Sequence, residues 1–274
     1  MIKLPAIVIT GGLVAAACGG SPATPPPVVN TPPVIESLTI APRAEADRPL
    51  QITATVKDTE TPISQLTYTW SASPQSGTFS GTGAAVMWKP PKGQKTPDLY
   101  TISLTVTEAY TSAGQAKQNS VSGSATVRYN DSPAEVAFVG RDFLVTKFGD
   151  VNVGAAEAVS NFSDSCPGKA AEFEDVKNNR INFEILTASF TAEAIAFDST
   201  LTTGTVDGPC RFEDKPRNGP NAGRIESVSG SCHLTTVYEN FRWLLCESTF
   251  SGETTLESLR GRVPGRVVRA ATAR

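Results

Sequence analysis

Between residues 34 and 130 apolar and polar positions alternate with period two in six short runs: 34–40, 50–56, 66–71, 85–88, 100–106 and 123–129. Leu50, Ile52, Ala54 and Val56 form one apolar side, and Ile102, Leu104 and Val106 another. Clusters of Gly, Pro, Asp and Ser separate the runs. This pattern predicts half-buried strands, and Thr- and Val-rich strands at this spacing predict an antiparallel sandwich. Trp70 is expected to lie between its two sheets.

At Asn130-Asp131-Ser132-Pro133 the period changes, with Pro133 placed for the first turn of a helix. Val136, Val139, Phe143, Leu144 and Phe148 then recur at helical spacing until Gly149. A second short helix, capped by Asn152, is expected to end at Val159. A third starts at Ser165-Cys166-Pro167 with Phe173 and Val176 on one side. Lys169, Glu172 and Glu174 read as its solvated, charge-paired face. After Asn178-Asn179 the period returns to two, with strands expected at 181–190, 194–201, 203–213, 224–238 and 242–250. Helices followed by long antiparallel strands predict an α+β unit with its helices on one face of a curved sheet.

The ends of the chain carry different information. Lys3 precedes an apolar stretch from Leu4 to Val14 that is too short to cross a bilayer. Small residues then lead to Cys18. The Ala-Ala-Cys ending resembles a bacterial lipobox, although Ala15 stands where Leu is commoner. The resemblance implies a lipidated Cys18 as mature N-terminus and the membrane as a partner. The alternative is an ordinary secretory signal cut near Ala17. Gly19 to Pro33 is uncharged and Pro-rich, with the composition of a semi-rigid tether or an interdomain linker. In a diderm host, Gly19 rather than Asp after the cysteine implies the outer membrane, on its periplasmic or surface side. Residues 253–274 contain five arginines from Arg260 to Arg274 and no core pattern, so a disordered tail is expected. Its guanidiniums could touch an anionic surface.

The expected organisation is therefore a signal at 1–17, a tether at 18–33, a sandwich at 34–130, an α+β unit at 132–252 and a tail at 253–274. A length of 274 residues suits two ordinary domains. The net charge of −3 and pI near 5.4 give no general reason to expect a nucleic-acid partner.

Four cysteines besides Cys18 read as two disulfides in an exported chain. A Cys₄ zinc site is the competitor, but the chain has no C-x-x-C pair. If Asn240-Phe241 forms a two-residue turn, Thr235 faces Cys246 and Cys232 points to the opposite side. Cys210 and Cys232 can then lie opposite each other in the preceding hairpin, leaving Cys166 to meet Cys246. A longer turn would change this parity.

Two family resemblances follow. The run ITATVKDTETPISQLTYTWSAS…GTFSGTG…VMWKPP…LYTISLTVTE is similar to a bacterial Ig-like domain of the PKD type, across about a third of the chain. Such modules act as spacers or binding surfaces. Asp58 and Glu60 sit where relatives carry an Asp/Gly-rich loop. A calcium site there competes with a solvated turn, because two carboxylates fill few of the six to eight positions of Ca²⁺. Tyr68, Trp70 and Trp88 could form an exposed aromatic strip for glycans, or pack in the core.

The helix-then-strand order of the second unit resembles the nuclear transport factor 2-like (NTF2-like) cone of the SnoaL and ketosteroid-isomerase group. Its closing hairpin SGSCHLTTVYENFRWLLCESTF carries most of that likeness. The segment NFSDSCPGKAAEFEDVKNNRINFEI resembles bacterial lipoproteins to which no activity attaches. Enzymes on this cone place an Asp base, an Asp–His pair or a Tyr donor in an apolar interior. Asp142, Asp164, His233, Tyr238 and Glu247 are the matching candidates here, and no motif sets an acid opposite a base. His233, the single histidine, also reads as an ordinary sheet residue. The sequence thus favours a non-catalytic envelope lipoprotein without a cofactor, carrying a domain for small-molecule or protein binding. A small-molecule isomerase or dehydratase and a glycan-binding adhesin remain as alternatives.

Overall fold

A computed structural model describes residues 30–252 and the backbone of 266–269. Cys18 and the residues around it lie outside the described residues. The first unit contains β1 (Val34–Ile40), β2 (Arg43–Glu45), β3 (Leu50–Lys57), β4 (Thr67–Ser73), β5 (Thr78–Ser80), β6 (Ala85–Lys89), β7 (Asp98–Ser112) and β8 (Gln115–Asn130). They form two four-stranded sheets, in the orders β1-β3-β6-β5 and β2-β8-β7-β4.

Alternation decides what lies between the sheets. Ile52, Val86 and Trp88 from one sheet pack against Tyr100, Ile102, Val127 and Tyr129 from the other. Trp70 does pack between the sheets, donating from Nε1 to Gly83 O at 3.0 Å, but the tryptophan enclosed at the centre is Trp88, which is 0% exposed. Trp88 lies on β6, between β3 and β5, whereas Trp70 lies on the edge strand β4 and is half-buried. Gly77, at φ 81°, makes room: a Cβ there would stand 2.5 Å from Trp88 Nε1. Burial, joined by the charge of Asp131, pushes the Tyr129 hydroxyl up to about 12.

The second unit begins with α1 (Ser132–Arg141), extended by a π-helical stretch over Asp142–Lys147. Asp131 caps α1 by accepting from Ala134 N. Two further helices follow, α2 (Ala155–Ala158) and α3 (Gly168–Asn182). The short helix starts after Gly154, because Asn152 is held in a turn by the Asp150 carboxylate. The third runs to Asn182, past the expected break. Its inner stripe is Glu172, Val176 and Asn179, so Glu172 is buried rather than solvated.

The strands are β9 (Phe183–Phe190), β10 (Ala194–Phe197), β11 (Thr203–Pro216), β12 (Glu226–Glu239), β13 (Arg242–Gly252) and β14 (Arg266–Arg269). The sheet order is β10-β11-β12-β13-β14, and β9 also pairs with β11. Within the stretch expected to be disordered, Arg266–Arg269 therefore adds a parallel strand beside Thr249–Gly252. The two β-branched residues at its centre, Val267 and Val268, suit that conformation.

Both disulfides lie in this unit: Cys166–Cys246 and Cys210–Cys232. Asn240 and Phe241 form the two-residue turn, both at positive φ, as a primed hairpin turn requires. Two details differ from the parity argument. Thr235 faces Glu247, because Cys246 is the extra residue of a bulge. Cys210 faces Gly230, so its bridge to Cys232 runs diagonally along one face of the hairpin. Replacing Cys210 and Cys232 by alanine is expected to cost about 3 kcal/mol in a urea titration, as a short closed loop implies. An unchanged midpoint would contradict a stabilising role for that bond.

Candidate functional site

The polar residues suggested by the sequence do not converge. Asp142 Oδ2 accepts from Asn161 Nδ2 at 2.6 Å and lies 3.4 Å from Lys147 Nζ. Lys147 also donates to Ser160 Oγ at 2.8 Å and Asn161 Oδ1 at 2.9 Å. A serine beside a lysine can be a nucleophile and its base. Here the lysine is shared among Asp142, Asn161 and Ser160, and Asp142 is itself held by Asn161.

His233 Nδ1 lies 2.5 Å from Asp207 Oδ1 directly across β11 and β12, with both side chains partly exposed on the outer face. Asp164 pairs with Lys169 in solvent. Glu247 is exposed beside Thr235. In the sandwich, Asp58 Oδ1 accepts from the backbone N–H groups of Glu60 and Thr61, which is the solvated-turn arrangement. Glu60 accepts from Thr31. Among the described residues no group of three His, Cys, Asp or Glu side chains is placed to hold a metal ion. The aromatic strip does not form, since Trp88 is enclosed in the core.

The interior of the second unit, where a cone would hold its chemistry, is occupied by side chains. Phe143, Leu144, Phe148, Phe162, Phe212 and Phe250 are all buried there. Phe143 meets Phe162 edge to face at 4.9 Å, and Phe148 meets Phe212 at 5.6 Å.

Tyr238 belongs to a polar cluster that joins the two units. Arg43, on β2 of the sandwich, stacks over the Tyr238 ring at 3.8 Å. Its Nη1 donates to Leu201 O at 2.9 Å, and its Nη2 donates to Ser132 Oγ at 2.7 Å and Glu45 Oε2 at 3.1 Å. Glu45 accepts from Ser132 N at 2.6 Å and from Ser132 Oγ at 2.9 Å, placing a carboxylate at the start of α1. Trp243 Nε1 donates to the same serine oxygen at 2.9 Å. Tyr238 donates to Asn130 Oδ1 at 2.9 Å, and Asn130 Nδ2 donates to Glu135 Oε1 at 2.8 Å.

Burial moves two of these groups. It pushes the Tyr238 hydroxyl above the usual phenol range, against the pull of Arg43. It also raises the Glu135 carboxyl, against hydrogen bonds from Thr96 and Asn130. At the neighbouring hairpin turn Arg128 stacks on Phe241 at 5.4 Å. The physical effect of this arrangement is to hold one unit against the other. No local signal marks Arg43 and Glu45, because the partners of Arg43, Ser132 and Leu201, lie 89 and 158 residues away and Ser132 lies 87 from Glu45.

No protein-family model matches the chain, and no curated protein matches it. Among solved structures it is similar to a nuclear transport factor 2 (NTF2-like) superfamily protein from Salmonella enterica subsp. enterica serovar Typhimurium str. LT2. That similarity has 11% identity and a TM-score of 0.31, and covers 45% of this chain and 87% of that one.

Proposed function

We propose that this chain is an envelope lipoprotein, anchored through Cys18, that holds an NTF2-like unit for small-molecule or protein binding on an Ig-like stalk. The observation that carries the reading is where the chain enters and leaves the sandwich. Asn30 Nδ2 donates to Glu108 Oε2 at 2.6 Å, and Thr31 bonds Glu60, so the chain enters at the end of β7 near Glu108. It leaves at Asn130, beside Asp98 at the opposite end of β7. Ten residues of strand separate those levels, or about 33 Å. A tether at the N-terminus therefore places the whole sandwich between a membrane and the second unit. The twelve residues from Cys18 to Asn30 could reach about 40 Å further if fully extended.

The contacts of Arg43 across the junction add to this reading, because a stalk fixes the position of its head only if the junction does not swivel. The filled interior argues for binding rather than chemistry, since the isomerase alternative needs an open cone. In the native host, the wild-type protein is expected in the detergent phase of a phase partition, and Cys18→Ser in the aqueous phase. Unchanged membrane association of the variant would contradict anchoring at Cys18 and shift attention to the Arg-rich tail.

A further inference from the structure

The inner side of α1 enters the core through Val136 and Gly140, and the π-helical turn continues it with Phe143. Its outer side carries Ala134, Ala137 and Phe138 at the i, i+3, i+4 spacing of one helix face, and Arg141 at i+7 is the one charge on that face. A helix of a two-layer domain ordinarily shows charge there. Phe138 is instead 61% exposed. With Phe190, Thr191 and Ala192 at the end of β9, these residues line an open groove of about 420 Å³. That size falls within the range of small-molecule sites, which combine apolar walls with a few polar groups. The polar groups here are the Arg141 guanidinium and the Thr191 hydroxyl. Arg141 is exposed and makes no hydrogen bond or ion pair among the described residues.

We propose that this groove binds a medium-chain carboxylate, with its alkyl chain along Ala137, Phe138 and Phe190 and its carboxylate on Arg141. The charge complementarity selects the head group, because a guanidinium fork matches a carboxylate in two parallel hydrogen bonds. The apolar wall selects the tail, since each buried methylene adds to binding. The groove lies on the far side of α1 from the filled interior, so a site here does not require the cone to open. The proposal rests on reading the second unit as a binding head, and it is independent of the anchor at Cys18.

The test titrates the full chain with decanoate and with decanol, followed by calorimetry and by amide shifts. Decanoate is expected to bind saturably at one site, shifting amides of residues 134–141 and 190–192. Arg141→Gln should weaken decanoate about tenfold or more and leave decanol unchanged, as loss of a charged hydrogen bond implies. Phe138→Ser should weaken both; each substitution is at an exposed position, so the fold is retained. Equal decanoate affinity in wild type and both variants would overturn the groove while keeping a ligand-binding head elsewhere in the chain. No saturable binding by the wild-type chain below roughly 1 mM would overturn the groove and the small-molecule form of that reading together.

Discussion

Phe143→Ala is expected to destabilise the second unit by about 3–5 kcal/mol, the range for removing a fully buried phenylalanine. Phe143 is 0% exposed and sits between Phe162 at 4.9 Å and Phe148 at 6.5 Å. Close-packed surroundings collapse only partly around a deletion, so the loss includes the cost of a cavity as well as of transfer. In a unit of this size the melting point should fall by roughly 10–20 °C. The cavity would be apolar and dry, and able to take up a benzene-sized molecule that the wild type excludes. Scanning calorimetry with and without such a molecule checks both effects. A loss below about 1 kcal/mol would mean that the interior has room to spare, which restores the open-cone alternative.

Arg43→Ala should have a comparable effect by a different route. The substitution removes a guanidinium that serves Leu201, Ser132 and Glu45 and stacks on Tyr238. Glu45, 9% exposed, is then left without its cation. Breaking a largely buried pair from one side costs about 3–4 kcal/mol, since the remaining charge stays desolvated. The loss falls on the junction, not on either core. A single unfolding transition in the wild type should therefore split into two, one for each unit. Arg43→Lys should not restore the single transition, because a lysine ammonium cannot fork to three acceptors while lying flat on an aromatic ring. One unsplit transition in Arg43→Ala would mean that the units are coupled by other contacts.

Most of the strands were legible from alternation alone, because one face of each is buried and the other wet. Three strands were not, one of them Arg266–Arg269 in the stretch expected to be a disordered tail. The other two, Arg43–Glu45 and Thr78–Ser80, have three residues each, too short for any period to appear. The outer reaches of β7 and β8 also escaped notice, since Thr107–Ser112 and Gln115–Ser120 are mostly polar on both faces. Burial of Trp88 over Trp70 depended on strand order, which spacing does not encode. The bulge at Cys246 likewise follows from how Phe162 and Ser163 dock on Leu245, a contact between distant segments. At the junction, Tyr238 reads from the sequence as one of five polar candidates; its hydroxyl bonds Asn130 and its ring carries Arg43. Nothing local marks Arg43 for that task; it follows Pro42 in an ordinary loop sequence.

The contacts of Arg43 imply that sandwich and second unit tumble as one body. Backbone ¹⁵N relaxation on the wild-type chain tests it directly, since rotational diffusion is read separately at each amide. One correlation time and one diffusion tensor are expected for residues 34–130 and 132–252 alike. Two distinct correlation times, each matching a unit of about half the size, would contradict it.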